Sequence, residues 1–173
     1  MLLAQSRHET ALGKEWMSVK ISQLHLSDFM LFQQADFQWS PGINVICGTN
    51  STGKTALIKL MYSLHKSYEQ WNSTETKEAA LNRFSEKLCG VFRPDNGKVG
   101  RLVRRKQGSA QMTASMGYEN GTSIDVNFGN RASKIATLIL PKMEHTASPD
   151  HTAAYFPPKE IISATENFTS LYE

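Results

Sequence analysis

Gly48-Thr49-Asn50-Ser51-Thr52-Gly53-Lys54-Thr55 decides how this chain is read, because it satisfies the pattern G-x-x-x-x-G-K-[ST] at every position. Each part of that pattern has a mechanical task. Gly48 lets the backbone leave a strand sharply, and Gly53 lets backbone approach an anion with no Cβ in the way. Backbone N–H groups from Asn50 to Thr55 converge on phosphate, helped by the positive end of the helix that follows. Lys54 is placed to set its ammonium between β- and γ-phosphates, and the Thr55 hydroxyl to ligate Mg²⁺. The expected nucleotide-contacting set is Gly48 to Thr55 together with Ala56, with Thr55 as the metal ligand. By chance the pattern arises in about one chain of this length in a hundred.

The flanks supply the context that the pattern requires. Upstream, Ile43–Cys47 reads as a short buried third strand, with Cys47 a small residue within it. Ser40-Pro41-Gly42 is a turn, and Ala35–Trp39 alternates as a second strand. Val19, Ile21, Leu24 and Leu26 read as the first strand, with a slip near Ser22-Gln23 and a turn around Asp28. Downstream, a helix is predicted from Lys54, its apolar face formed by Leu57, Ile58, Leu60, Met61, Leu64 and Tyr68.

Farther out the character changes. Glu78–Phe92 is a second predicted helix, with Leu81, Phe84, Leu88 and Val91 spaced by three and four, and Asp95-Asn96-Gly97 turns the chain. Val99–Arg105, Gln111–Tyr118, Thr122–Phe128 and Lys134–Leu140 read as four strands of a β-meander, with turn residues at Asn120-Gly121 and Gly129-Asn130. Pro141–Asp150 is a loop, and Pro157-Pro158 opens a terminal segment, helical to Glu166. Residues 1–16 are polar and without periodicity, a flexible extension; residues 17–173 form the ordered lobe.

Composition limits the alternatives. At 173 residues one domain is expected, and 40% hydrophobic residues suffice for a core. Lys plus Arg number 19 against 16 Asp plus Glu, a net +3 that is too mild for a nucleic-acid tail or membrane anchor. Apolar runs are no longer than Met1–Ala4, Phe29–Phe32 and Ala153–Phe156, against about 20 residues for a membrane span. The N-terminal residues do not read as a signal peptide. Cys47 and Cys89 therefore read as reduced thiols, and the expected compartment is cytoplasmic.

Ile21-Ser22-Gln23-Leu24-His25-Leu26-Ser27-Asp28-Phe29, then a phenylalanine-bearing strand, then Pro41-Gly42-Ile43-Asn44-Val45-Ile46 leading into the glycine-rich loop, resembles the start of the SMC/RecF/OLD branch of ABC-type ATPases, often grouped as AAA-family ATPases. The Asn-Ser-Thr form of the loop is closest to OLD-like members. In this branch the lobe opens with antiparallel strands, and a meander follows the loop's helix, as expected for residues 98–140. Phe156-Pro157-Pro158-Lys159-Glu160 resembles the Pro-x-[KR]-Glu segment of OLD-like ATPases, which implies that Glu160 faces the γ-phosphate; the plainer reading is a glutamate in a first helical turn.

The chain also departs from that family. The resemblance implies a Walker B strand ending in Asp-Glu, a Ser-Gly-Gly-type signature and a switch histidine, and the sequence has none of them. Ser123-Ile124-Asp125 lacks the apolar run, and Leu138-Ile139-Leu140-Pro141-Lys142-Met143-Glu144 has a proline in the way. The chain is therefore expected to be the N-terminal part of a longer ATPase that binds Mg·ATP as a dimer or with a second chain. Hydrolysis by these residues alone has no evident carboxylate behind it.

Other features carry plainer readings beside functional ones. Lys98, Arg101, Arg104, Arg105 and Lys106 suit a DNA phosphate contact, or the charged edge of a solvated hairpin. Phe29 and Phe32 suit adenine stacking, or the core. His8, His25, His65, His145 and His151 have no metal-ligand spacing. The sequence thus predicts an α/β P-loop NTPase lobe of ABC-ATPase type, acting in DNA-linked or phage-defence processes. Two rivals remain: a small P-loop kinase, against which two strands precede the loop, and a non-hydrolysing nucleotide-sensing domain. A pure nucleic-acid module stands behind both.

Overall fold

The computed structural model describes residues 20–72, 74–141 and 153–156. Five antiparallel strands form one sheet in the order β2-β1-β3-β4-β5: β1 Ile21–Phe29, β2 Phe32–Gln38, β3 Gln111–Tyr118, β4 Ser123–Gly129 and β5 Thr137–Ile139. Two helices, α1 Lys54–Glu69 and α2 Lys77–Phe92, lie between β2 and β3 in the chain.

Alternation of side chains determines which face of the sheet is covered. Leu24 pairs across to Met116 and Leu26 to Ala114, and β4 continues these rows with Ile124 and Val126. Val126 then meets Leu138 of β5. This apolar layer joins Leu57, Leu60, Leu64 and Tyr68 of α1 and Ala80, Phe84 and Leu88 of α2 in one core. The opposite face is polar, with His25 beside Asp36 on one side and Ser115 on the other. The slip in the β1 pattern is a bulge between Ile21 and Gln23, where an extra residue is accommodated without moving Leu24 off the core face.

Four expectations are corrected. Ile43–Cys47 is not a strand: Ile43 is 94% and Val45 77% exposed, Cys47 is exposed, and none of the described residues pairs with their backbone in the sheet. Its apolar pattern is that of a buried strand, but its cover does not come from the described residues. Val99–Arg105 is not a strand either. Val99–Leu102 is a 3₁₀ turn, and Val103 makes a single bridge to Phe29. The buried residues Val99, Leu102 and Val103 stand at i, i+3 and i+4, a turn's spacing rather than a strand's.

The turn expected around Asp28 comes later, at Met30 and Leu31, because Asp28 is itself within β1. The strand expected over Lys134–Leu140 contracts to Thr137–Ile139. The helices expected from Lys54 and over Glu78–Phe92 agree with the structure, except that Ile58 is 43% exposed rather than on the covered face of α1. α2 additionally has an N-cap, Thr76, whose hydroxyl accepts the Ala79 N–H at 3.2 Å. The N-terminal extension and the segment from Pro157, with Glu160, lie outside the described residues, as do His8, His145 and His151.

Candidate functional site

The loop from Gly48 to Gly53 joins the exposed segment to α1, and Gly53 is the junction. Its backbone is left-handed, φ 90 and ψ 4, a conformation in which glycine avoids the cost of a Cβ. No side chain caps α1 there, and its first turn contains no acidic residue. The N–H groups of Lys54, Thr55 and Ala56 precede the first helical hydrogen bond, Leu57 N–H to Gly53 O at 2.9 Å. They form an uncapped helix N-terminus facing the loop, an arrangement suited to an anion.

Lys54 folds back over this loop. Its ammonium donates to Gly48 O at 2.8 Å and to Thr49 O at 2.5 Å, and lies 3.4 Å from Thr52 Oγ1. The Thr52 hydroxyl donates to Thr49 O at 2.9 Å. These bonds cinch the loop into a ring with a cation at its centre. Ser51, at φ 63, takes the left-handed turn within it.

Gly53 is required for a second reason that sequence reasoning missed. A Cβ there would stand 2.8 Å from both Cε2 and Cζ of the Phe32 ring. Phe32 comes from the start of β2 and meets Phe37 edge to face at 6.1 Å, and Phe37 stacks on Trp39 at 5.7 Å. A cavity of about 350 Å³ opens beside the loop. Gly48, Thr49, Thr52 and Lys54 line its polar side, and Phe32, Phe37, Ile46 and Leu57 its apolar side. No pattern in the sequence links residue 32 to residue 53; the contact exists only once the sheet has formed.

The remaining site residues divide. Thr55 is exposed, which suits a metal ligand held jointly with phosphate oxygens, and among the described residues the cavity lining contributes no carboxylate. Asp125 lines a different groove, on the polar face of the sheet with His25 and Asp36. Phe29 is wholly buried against Phe92 at 5.8 Å and so belongs to the core, whereas Phe32 is half-buried at the loop. Of the five cations, Lys106 pairs with Asp28, while Lys98, Arg101 and Arg105 are exposed on the turn and the loop after it rather than along a hairpin edge.

At the far end of α1 a second polar cluster is part-buried. His65 Nδ1 lies 3.0 Å from the Tyr118 hydroxyl, and His65 Nε2 lies 3.3 Å from Glu69. Burial pushes the Tyr118 phenol well above its ordinary range, aided by Tyr68 and Glu69. Burial raises Tyr68 as well.

Comparison with known proteins places this geometry. A family profile described as an AAA domain matches residues 23–140, more than half of the chain. The DNA replication and repair protein RecF of Corynebacterium jeikeium is 33% identical over 94 residues, covering 51% of this chain and 21% of that protein. Its namesake from Streptococcus equi subsp. zooepidemicus is 34% identical over 88 residues, covering 50% of this chain and 22% of the relative. RecF of Renibacterium salmoninarum is 46% identical over 41 residues, covering 24% of this chain and 10% of its own length. The matched segment thus spans about a fifth or less of these relatives.

Proposed function

The chain belongs to the AAA domain family, within the SMC/RecF-like branch of ABC-type ATPases, and from that premise we propose that it binds Mg·ATP through Gly48–Thr55 and Ala56. The observation that carries this reading is the uncapped start of α1 facing a loop whose lysine is already turned inward. The amides and the Lys54 ammonium would neutralise the phosphates, and Thr55 would be the residue that holds Mg²⁺. The metal would draw charge off the β- and γ-phosphates.

The reading extends to the organisation of the protein. Residues 17–173 act as a nucleotide-binding lobe, and residues 1–16 as an extension. The exposed Ile43 and Val45 support a further segment or second chain, a second copy included, that covers them and supplies the Walker B acid and signature. The Asn-Ser-Thr loop favours the OLD-like form, and the RecF relatives favour a DNA-linked role over phage defence. DNA contact would fall on the exposed Lys98, Arg101 and Arg105. No helix among the described residues is long and apolar enough to cross a membrane. The compartment we propose is the cytoplasm.

A non-hydrolysing, nucleotide-sensing role is the second reading; among the described residues the cavity lining contributes no carboxylate. Competition among ATP, ADP and adenosine tests the main reading. If the loop is the site, affinity follows the phosphates, and adenosine fails to displace ATP. Displacement by adenosine at ADP-like concentrations would refute it.

A further inference from the structure

The loop is exposed from Gly48 to Thr52, and its internal bonds come from its own lysine and threonine. What fixes it to the rest of the molecule at Gly53 is the Phe32 ring. Two adjacent atoms of that ring, Cε2 and Cζ, stand 2.8 Å from the position a Cβ would take, and Leu31 Cδ1 stands 3.8 Å from the same position. Gly53 is also the residue whose left-handed turn aims the first amides of α1.

The ring is in turn anchored. Phe32 pairs with Phe29 across the hairpin, and Phe37, itself packed against the core, meets the ring edge to face at 6.1 Å. The hairpin end is tied down by two backbone bonds, Met30 N–H to Leu102 O at 2.9 Å and Arg104 N–H to Asp28 O at 2.7 Å. Among the described residues, the Phe32 ring is the part of the sheet nearest the Gly53 Cβ position.

We propose that Phe32 is a positioning residue for nucleotide binding: its ring props Gly53 and so sets the direction of the Lys54, Thr55 and Ala56 amides. This rests on the nucleotide reading of the loop. Amide geometry at an anion site is exacting, and misplacement by about 1 Å is enough to cost about 100-fold where geometry governs the interaction. The ring acts through Gly53 and need not touch the ligand.

Calorimetric titration of Mg·ATP into the full 173-residue chain tests this, comparing wild type with Phe32→Leu, Phe32→Tyr, Gly53→Ala and Phe32→Ala/Gly53→Ala. Phe32→Leu keeps apolar volume but removes the ring face, and is expected to weaken binding about 10-fold or more while circular dichroism stays native. Phe32→Tyr adds a hydroxyl to Cζ, one of the two ring atoms against Gly53, and should weaken binding as well. Gly53→Ala should bind worst, and the double variant should regain part of that loss because the clashing ring is gone, a non-additivity diagnostic of direct contact. In the ligand-free protein, the Gly53 amide proton should carry a ring-current shift that Phe32→Leu removes. Wild-type affinity in folded Phe32→Leu, or an unchanged Gly53 shift, overturns the inference alone. Wild type that binds no Mg·ATP overturns the nucleotide reading and this inference with it.

Discussion

The carboxylate of Asp28 and the ammonium of Lys106 meet at 2.5 Å across 78 residues of chain. Asp28 is 8% exposed and takes a left-handed backbone at φ 49, so the end of the first hairpin is closed by a buried acid in an uncommon conformation. The basic stretch from Lys98 to Lys106 is thus partly structural. One of its cations neutralises the hairpin, and Lys98, Arg101 and Arg105 are exposed.

Lys106→Met should leave the Asp28 carboxylate buried without its partner. The expected cost is about 1–2 kcal/mol in urea unfolding, below that of a fully buried pair because the Lys106 side chain is 45% exposed. Asp28→Asn should fare better than Asp28→Ala, since asparagine tolerates the left-handed region. An unchanged midpoint in Lys106→Met would show that the pair adds nothing.

Gly100→Ala should destabilise the fold by about 1–3 kcal/mol through overpacking. The new Cβ would stand 2.8 Å from Gly129 O and from Asn130 C and O, all backbone atoms of a neighbouring turn. Thermal unfolding by circular dichroism measures this, with Gly90→Ala, where nothing lies within 4 Å, as the control.

Alkali should unfold the protein through its buried phenols. The Tyr118 pKa is raised by burial, then by Tyr68 and Glu69, and the Tyr68 pKa is raised by burial. A group whose folded pKa exceeds its unfolded value, about 10 for tyrosine, contributes its full stability below that pH. That contribution is lost as pH rises from there toward the folded pKa. Tyr118→Phe should therefore flatten the loss of stability above about pH 10, while forgoing the bond to His65, worth about 1 kcal/mol at neutral pH. The same steepness in wild type and Tyr118→Phe would exclude Tyr118 as a source.

Thr76→Ala should cost about 1 kcal/mol by stripping the hydroxyl that accepts the Ala79 N–H at the start of α2. Chemical denaturation with Thr76→Ser, which retains the oxygen, separates loss of the cap from loss of the methyl group.

The local patterns were readable wherever a single face is buried. Leu57, Leu60, Leu64 and Tyr68 announce α1, and alternation in Met112–Met116 and Ile124–Phe128 announces β3 and β4. Ile43–Cys47 misled because a β-branched run says that burial is wanted without saying what provides it. Val99–Arg105 misled because it reads as the first strand of the meander, while Val99, Leu102 and Val103 hold a turn's spacing. At the site, the glycine-lysine pattern was legible because it is local. The contact of Phe32 with Gly53 was not, since it joins residues from opposite sides of a long connection and leaves no periodicity.

The central claim is that the loop holds nucleotide phosphates through Lys54. Calorimetric titration of Mg·ATP into the wild-type chain and into Lys54→Ala tests it most directly. The expected result is saturable one-site binding in wild type, with affinity reduced by about 10- to 100-fold in a folded Lys54→Ala, as loss of a charge-assisted contact implies. Equal affinity in the two proteins, or no binding by folded wild type, would contradict it.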